Sequence, residues 1–367
     1  MTDLPVRTFV RTDREPVTTD GTLALVNLSA QIDGVAAPVR RAGSTAPLAV
    51  ARQAALVDLL TLRGHLLGRV ADYEQAAQLS EQMVWNAPDD RAALLARART
   101  RATLHRFAEA MADLDAAGRA GAAQATLDAE RAAILQAVGC HAEAHLLLRS
   151  ATPHQSGFTM LSALAVLRAE RGETTEAEHA FDEARAAHRG VSPFPLAQLD
   201  FRRGVMWLRE GDLPAARSWF DTALRRVPGY APATGHLAEV DLLLGDPETS
   251  AARLRPLVET SDDPEYAAHL ALALRAVGRH QEAQPWRDRA AARYEELVTR
   301  HPEAYADHAA DFWLMVGGDV DRGLQLALQT LVMRQTSRSS ALVRRAREAS
   351  DRPVGDISRP RQPATSM

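Results

Sequence analysis

The side chains of this chain best suited to chemistry by type and spacing stand in the run Cys140-His141-Ala142-Glu143-Ala144-His145. Histidines four apart share one face of a helix, which is the geometry zinc ligation uses. A zinc-protease helix needs glutamate directly after the first histidine, and Ala142 stands there. The His-x-Glu of zinc deaminases, matched by His141 and Glu143, needs a downstream Cys-x-x-Cys. A chain whose single cysteine is Cys140 cannot supply one. The same residues fall at a turn and the opening of a helix, where polar side chains belong. A metal-dependent enzyme is therefore kept only as a remote alternative, and no metal or cofactor is expected.

All 43 basic residues are arginine, a bias that fits codon usage in a GC-rich genome. The chain has no amine for a Schiff base, no phosphate-loop lysine and no kinase strand lysine. No Gly-x-Gly-x-x-Gly or Gly-x-Ser-x-Gly occurs, and the 12 histidines read as scattered without a common phase. Nothing reads as an active site. A formal charge of -4 does not favour wrapping nucleic acid, and no membrane partner is expected. No apolar run is long enough to cross a bilayer, and the first twenty residues mix acids with arginines rather than forming a basic leader. With one cysteine and no disulfide to form, the expected location is the cytoplasm.

The elements that hold these residues repeat. A template built on Gly211, Ala216, Phe220 and Ala223 recurs along the chain. Its small-residue marker falls at Ala76, Ala110, Ala144, Ala177, Ala216, Ser250, Ala283 and Gly323, with spacings of 34, 34, 33, 39, 34, 33 and 40. Twelve residues before the marker stand Gly64, Ala98, Ala132, Ala165, Gly204, Ala238, Ala271 and Asp311. The turn carries Gly139, Gly172, Gly211, Gly245, Gly278 and Gly318, with Ala71 and His105 in the other two units. Each unit therefore reads as two helices joined by a tight turn, with small residues where the backbones approach. The two long spacings predict insertions around 190–196 and 297–303. One such unit cannot offset the entropy of ordering itself, so neighbours must stack.

The pattern resembles the tetratricopeptide-repeat family over about residues 57–336. The resemblance implies an all-α solenoid of about eight helix-turn-helix repeats wound into a right-handed superhelix. The early aromatic of the family is replaced by Leu60, Leu94, Asp128, Leu161 and Asp200. Its terminal proline is kept in register only as Pro88 and Pro228.

The organisation expected from the sequence is an irregular N-terminal segment 1–47, a repeat array 48–336, a capping helix 337–349 and a disordered tail 350–367. Gly21–Ile32 is a short apolar element that could be helix or strand, and Pro38, Gly43 and Pro47 mark a loop. Ser339 or Ser340 is the expected cap of the last helix. From Arg334 to Arg361 the local charge is +5, a surface that could meet an acidic partner.

The family implies that the first helix of each unit lines the concave side. By repeat phase that lining is Thr61, His65, Arg99, Thr103, Gln198, Phe201, Arg209, Tyr305, His308 and Phe312. Arginines and aromatics anchor interfaces. The expected function is a non-catalytic scaffold or adaptor binding a protein partner's peptide or helix on this face. The alternative is a regulatory or sensor module that binds a small signal or peptide and controls a partner.

Overall fold

A computed structural model describes residues 16–41, 47–150 and 157–351. Among the described residues only helices occur, eighteen α-helices and one π-helical turn. A leading helix, α1 (Gly21–Arg41), is followed by helix pairs. α2 (Pro47–Leu67) packs on α3 (Val70–Asn86), α4 (Arg91–Thr103) on α5 (Phe107–Arg119), and α6 (Gln124–Ala137) on α7 (His141–Ser150). α8 (Phe158–Glu170) pairs with α9 (Thr174–Ala187), α10 (Phe194–Arg209) with α11 (Leu213–Arg226), and α12 (Ala231–Leu243) with α13 (Pro247–Thr260). α14 (Pro264–Ala276) with α15 (His280–Arg300) and α16 (Pro302–Phe312) with α17 (Val320–Met333) complete the array. α18 (Ser337–Ser350) packs against α17 and closes that end.

The repeat phase explains the pairs. The six turn glycines all have positive φ, the left-handed backbone that ends a helix. His105 adopts it too, at φ 58°, in the unit without a turn glycine. Ala71 is not the turn of the first pair. That turn is Gly68, three residues earlier, because α3 begins at Val70. At Gly204 a Cβ would stand 2.6 Å from the Phe220 ring, so the small residue is what lets α10 and α11 approach.

The irregular N-terminal segment is corrected over 21–41, which is one helix. Ala24, Leu28, Ile32 and Ala36 recur every four residues and are buried as one stripe against α2. Pro38 lies within that helix, and Pro47 opens α2 rather than marking a loop, since a first-turn proline sacrifices no hydrogen bond. The insertion near 190 is the connection between α9 and α10. The one near 297 is absorbed by lengthening α15 to 21 residues, against 14 in α13. α18 is capped by Thr336, whose hydroxyl accepts from the Ser339 amide at 3.1 Å, while Ser339 reciprocates as a capping box. Ser339 is thus the third helical residue, not the cap. The expected tail beyond Asp351, residues 1–15 and Gly43 lie outside the described residues.

Arginine fills the polar interior. Asp200, standing where the family has an aromatic, is fully buried and held by Arg185 and Arg226 from neighbouring helices. Asp241 is likewise held by Arg217 and Arg253, and Asp113 by Arg97 and Arg101. A guanidinium presents a fork that can satisfy both carboxylate oxygens, so a buried acid is neutralised across the helix interface.

The array also closes on itself. One apolar cluster joins Leu28, Leu56, Leu60 and Leu114 to Phe201, Phe220, Tyr230 and Leu237, far along the chain. Thr19 donates to the Val191 carbonyl at 2.8 Å. The first amides of α3, Val70 and Ala71, donate at 2.6 and 3.1 Å to Asp262, a side chain almost two hundred residues away. Ser261 binds the Gly68 carbonyl, and Glu74 meets Arg300 at 2.6 Å and His301 at 3.2 Å. α1–α3 thus form a seam with the second half of the array.

Candidate binding surface

The even-numbered helices form one layer, with α10, α12, α14, α16 and α18 in consecutive contact and α2 touching α12. This is the face the repeat phase points to. Two of its expected members are corrected. Phe201 and Phe312 are only 5% and 4% exposed. Phe201 packs on the rings of Phe220, Tyr230 and His236, and Phe312 on Tyr294 and Trp313. Their positions point between stacked repeats, where the apolar ring gains most from burial. They hold the layer together and cannot receive a partner's side chain.

The others divide by what already engages them. Arg99 ties α4 to its neighbours through Glu130 at 2.6 Å and Asp58 at 3.1 Å, and the Thr103 hydroxyl returns to the Arg99 carbonyl at 2.9 Å. His65 meets the Tyr230 hydroxyl across the seam at 2.9 Å. Thr61, one turn earlier on α2, has its hydroxyl oxygen buried without a partner. Gln198 and Tyr305 are half-buried. The His308 imidazole is 3.9 Å from Glu265 and from the Asp307 carboxylate. Arg209 has its Nε shut away from water with no acceptor.

The phase selected too few residues. Arg202, His236 and His269 all stand fourteen residues before their markers, on α10, α12 and α14. His308 stands fifteen before its marker, and the π turn Trp313–Gly317 absorbs the extra residue between them. These histidines therefore share a phase. Listing each repeat position by column, rather than histidines by number, would have found them.

Their electrostatics are those of an enclosed polar space. Burial, reinforced by Arg202, lowers the His65 pKa to about 4, so it is neutral against Tyr230. Burial would lower His236 as well, but the Glu239 hydrogen bond at 2.9 Å and that carboxylate's charge raise it. Asp307 is pulled down to about 2 against its burial by His308, Arg334 and Arg338. Arg334 binds it at 2.8 Å. Glu265 is held low against its burial by His269, His308 and His236. Both Glu265 and His308 keep about a third of their side-chain surface accessible, 33% and 36%, so this space admits water.

His141 and His145 lie at the start of α7, and His141 is 3.6 Å from Glu170. Among the described residues no group of three His, Cys, Asp or Glu side chains is arranged to hold a metal. None of the described helices is long and apolar enough to cross a membrane. Apart from the inner layer, an open cleft on α3 and α4 is lined by Val84, Pro88, Arg97 and the 86% exposed Trp85.

Two tetratricopeptide-repeat family models match this chain, one over residues 162–231 and one over 208–273. No curated protein sequence matches it. Among solved structures, a monomeric mutant of IFIT1 with Gppp-AAAA is similar at a TM-score of 0.50 and 14% identity, covering 82% of this chain and 71% of that one. Yeast Tom70 is similar at 0.46 and 15% identity, covering 82% and 64%. The APC/C hetero-tetramer Cut9-Hcn1 gives 0.47 and 13%, covering 79% of this chain, which spans 55% of the chain it matches. At 14% identity the likeness to the IFIT1 mutant is one of fold alone.

Proposed function

We propose, from the premise that this chain is a tetratricopeptide-repeat protein, that it is a protein-interaction scaffold whose inner layer of first helices engages a peptide or helix of a partner. The observation that carries the reading is the layer itself. Consecutive first helices place Gln198, Arg202, His236, Glu265, His269 and His308 along one face, half-buried or exposed. A core face would be apolar, and a solvated face would not be so enclosed. The ordered backbone supplies a preformed surface, so the partner bears most of the ordering entropy. Recognition rests on charge and hydrogen bonds rather than on inserted aromatics, because Phe201 and Phe312 are already packed.

The test compares the intact chain with a Gln198→Ala/His308→Ala double variant as baits in the native host. A partner retained by the first and lost by the second, with helicity unchanged by circular dichroism, supports the reading. Equal retention by both moves the contact to another face, with the Trp85 cleft the next to be mutated.

A further inference from the structure

Every other helix pair turns on a glycine at positive φ, whereas the α4–α5 pair turns on His105, at φ 58°. Among the described residues it is the one non-glycine residue in that region of backbone, which costs a side chain free energy that glycine avoids. Such strain persists where surrounding contacts hold it. Here the contacts come from the far end of the chain. The imidazole Nδ1 lies 3.3 Å from the Glu303 carbonyl oxygen in the first turn of α16. The same nitrogen lies 3.2 Å from Nη1 of Arg334, in the turn between α17 and α18. The ring stacks on Phe107, with centroids 5.2 Å apart and planes at 22°.

These two contacts make opposite demands on one nitrogen. A guanidinium can only donate a hydrogen bond and a carbonyl can only accept one. With Nδ1 unprotonated, the neutral ring accepts from Arg334. With a proton there it donates to Glu303, and Arg334 then faces a cation instead of an acceptor. Arg334 keeps Asp307 at 2.8 Å in either case. The other charges around the ring are Asp307 and His308 of α16, with Arg338 of α18 acting on Asp307. In its own turn Arg106 is held by Glu109 at 2.8 Å. Burial lowers the His105 pKa to about 4, Arg334 and His308 add to the fall, and Asp307 and the Glu303 hydrogen bond oppose it. A held ring therefore takes a proton only near pH 4, whereas a released ring in water takes one from about 6.5 downward. Between these values acid favours release.

We infer that His105 is a proton-sensitive latch, which ties the α4–α5 turn to the α16–α18 end of the array and lets go as the solution is acidified. Three costs are recovered together on release: the left-handed backbone, the contested nitrogen and the desolvation of the ring. All three fall on one residue, so the turns built on glycine have no such response. The proton comes from solvent and returns to it, and no bond other than N–H forms or breaks. Asp307 and His308 stand on α16, one of the inner-layer helices, so release loosens one end of the proposed peptide surface. That regulation rests on the scaffold reading above. The latch itself does not, and its test needs no partner.

The experiment is amide hydrogen exchange of the full chain at about pH 7.5 and about pH 5.5, with each rate expressed as protection relative to an unstructured chain at the same pH. Protection in the α4–α5 and α17–α18 turns should fall about tenfold, the factor for a histidine titrating near 6.5 when released and about 4 when held. Protection in α8 and α9 should fall less. His105→Asn should remove the fall, because asparagine tolerates the left-handed backbone and carries both an acceptor and a donor. His105→Gly, the residue of the other turns, should remove it too, which guards against a variant that merely fits badly. His65→Gln should leave it in place. A fall no larger than that in α8 and α9, one that survives in either His105 variant, or one abolished by His65→Gln overturns the inference.

Discussion

The seam and the arch of this molecule are built on opposite principles. In the arch, α7 to α9, helices touch mainly their sequence neighbours, and the cores around Leu148 and Phe181 are small and local. In the seam, α1–α6 share one large apolar cluster with α10–α12, and the α2–α3 turn and α3 exchange polar contacts with the segment spanning α13–α16. A solenoid ordinarily gains stability repeat by repeat. Here the seam adds long-range coupling, so damage at one end should be felt at the other.

The largest expected effect tests that coupling. Phe220→Ala should cost about 3–5 kcal/mol, and hydrogen exchange should rise in α2 and α3 as well as in α10 and α11. Phe181→Ala, equally buried in the arch, should cost a similar amount but raise exchange only around α8–α10. The same exchange pattern in both variants would erase the distinction.

Acid should open the seam before the arch. His65 and His105 both make seam contacts, with Tyr230 and with the Glu303 carbonyl, and burial lowers each to about 4. An unfolded histidine titrates near 6.5. As pH falls from 6.5 toward 4 the unfolded chain takes up these protons and the folded chain does not, so stability is full above 6.5 and is lost across that window. Each contributes on the order of a few kcal/mol. His236, raised by Glu239, acts in the opposite sense and offsets part of the loss. Urea denaturation at pH 7 and pH 5 should show the drop, and His65→Gln should flatten it. A wild-type curve that is flat over this range would contradict the seam's dependence on neutral histidines.

Asp262→Ala removes an N-cap supplied from another repeat and should cost about 1 kcal/mol, with α3 fraying first. Asp90→Ala removes the local cap of α4, whose carboxylate accepts from Ala92 and Ala93, at a similar cost. Its effect should stay within α4 and α5. Trp85→Ser should change stability by less than about 0.5 kcal/mol, since the ring is solvent-exposed and belongs to neither region's core. A larger loss would show that the α3 surface is part of the seam.

Much of the fold was legible because repeat physics is local. Glycine at the turn, a small marker at Ala216 and a large ring at Phe220 state how two helices meet, and the same columns recur along the chain. α1 was missed although its stripe of Ala24, Leu28, Ile32 and Ala36 is plain. Pro38 suggested a break, and that stripe acquires meaning only against α2. The candidate site was less legible. Phase named the inner helices, but Phe201 and Arg202 are adjacent on α10, and one is buried while the other is exposed. A rotation of 100° separates core from surface, and a column count cannot fix it without the neighbouring helix in place.

The sequence by itself determined the unit: helix, turn, helix, and the small residues that set their approach. It also determined that every strong cation on any surface would be a guanidinium, planar and permanently charged. Only the tertiary structure decided which of those guanidinia are free. Pairing depends on where a carboxylate from another helix arrives, as at Asp200, Asp241 and Asp113, and that is set by stacking angle and by closure of the seam. Short-range geometry is written into adjacent residues. The meeting of Gly68 with Ser261, or of His65 with Tyr230, is a sum of small rotations over many repeats, and no single residue encodes it.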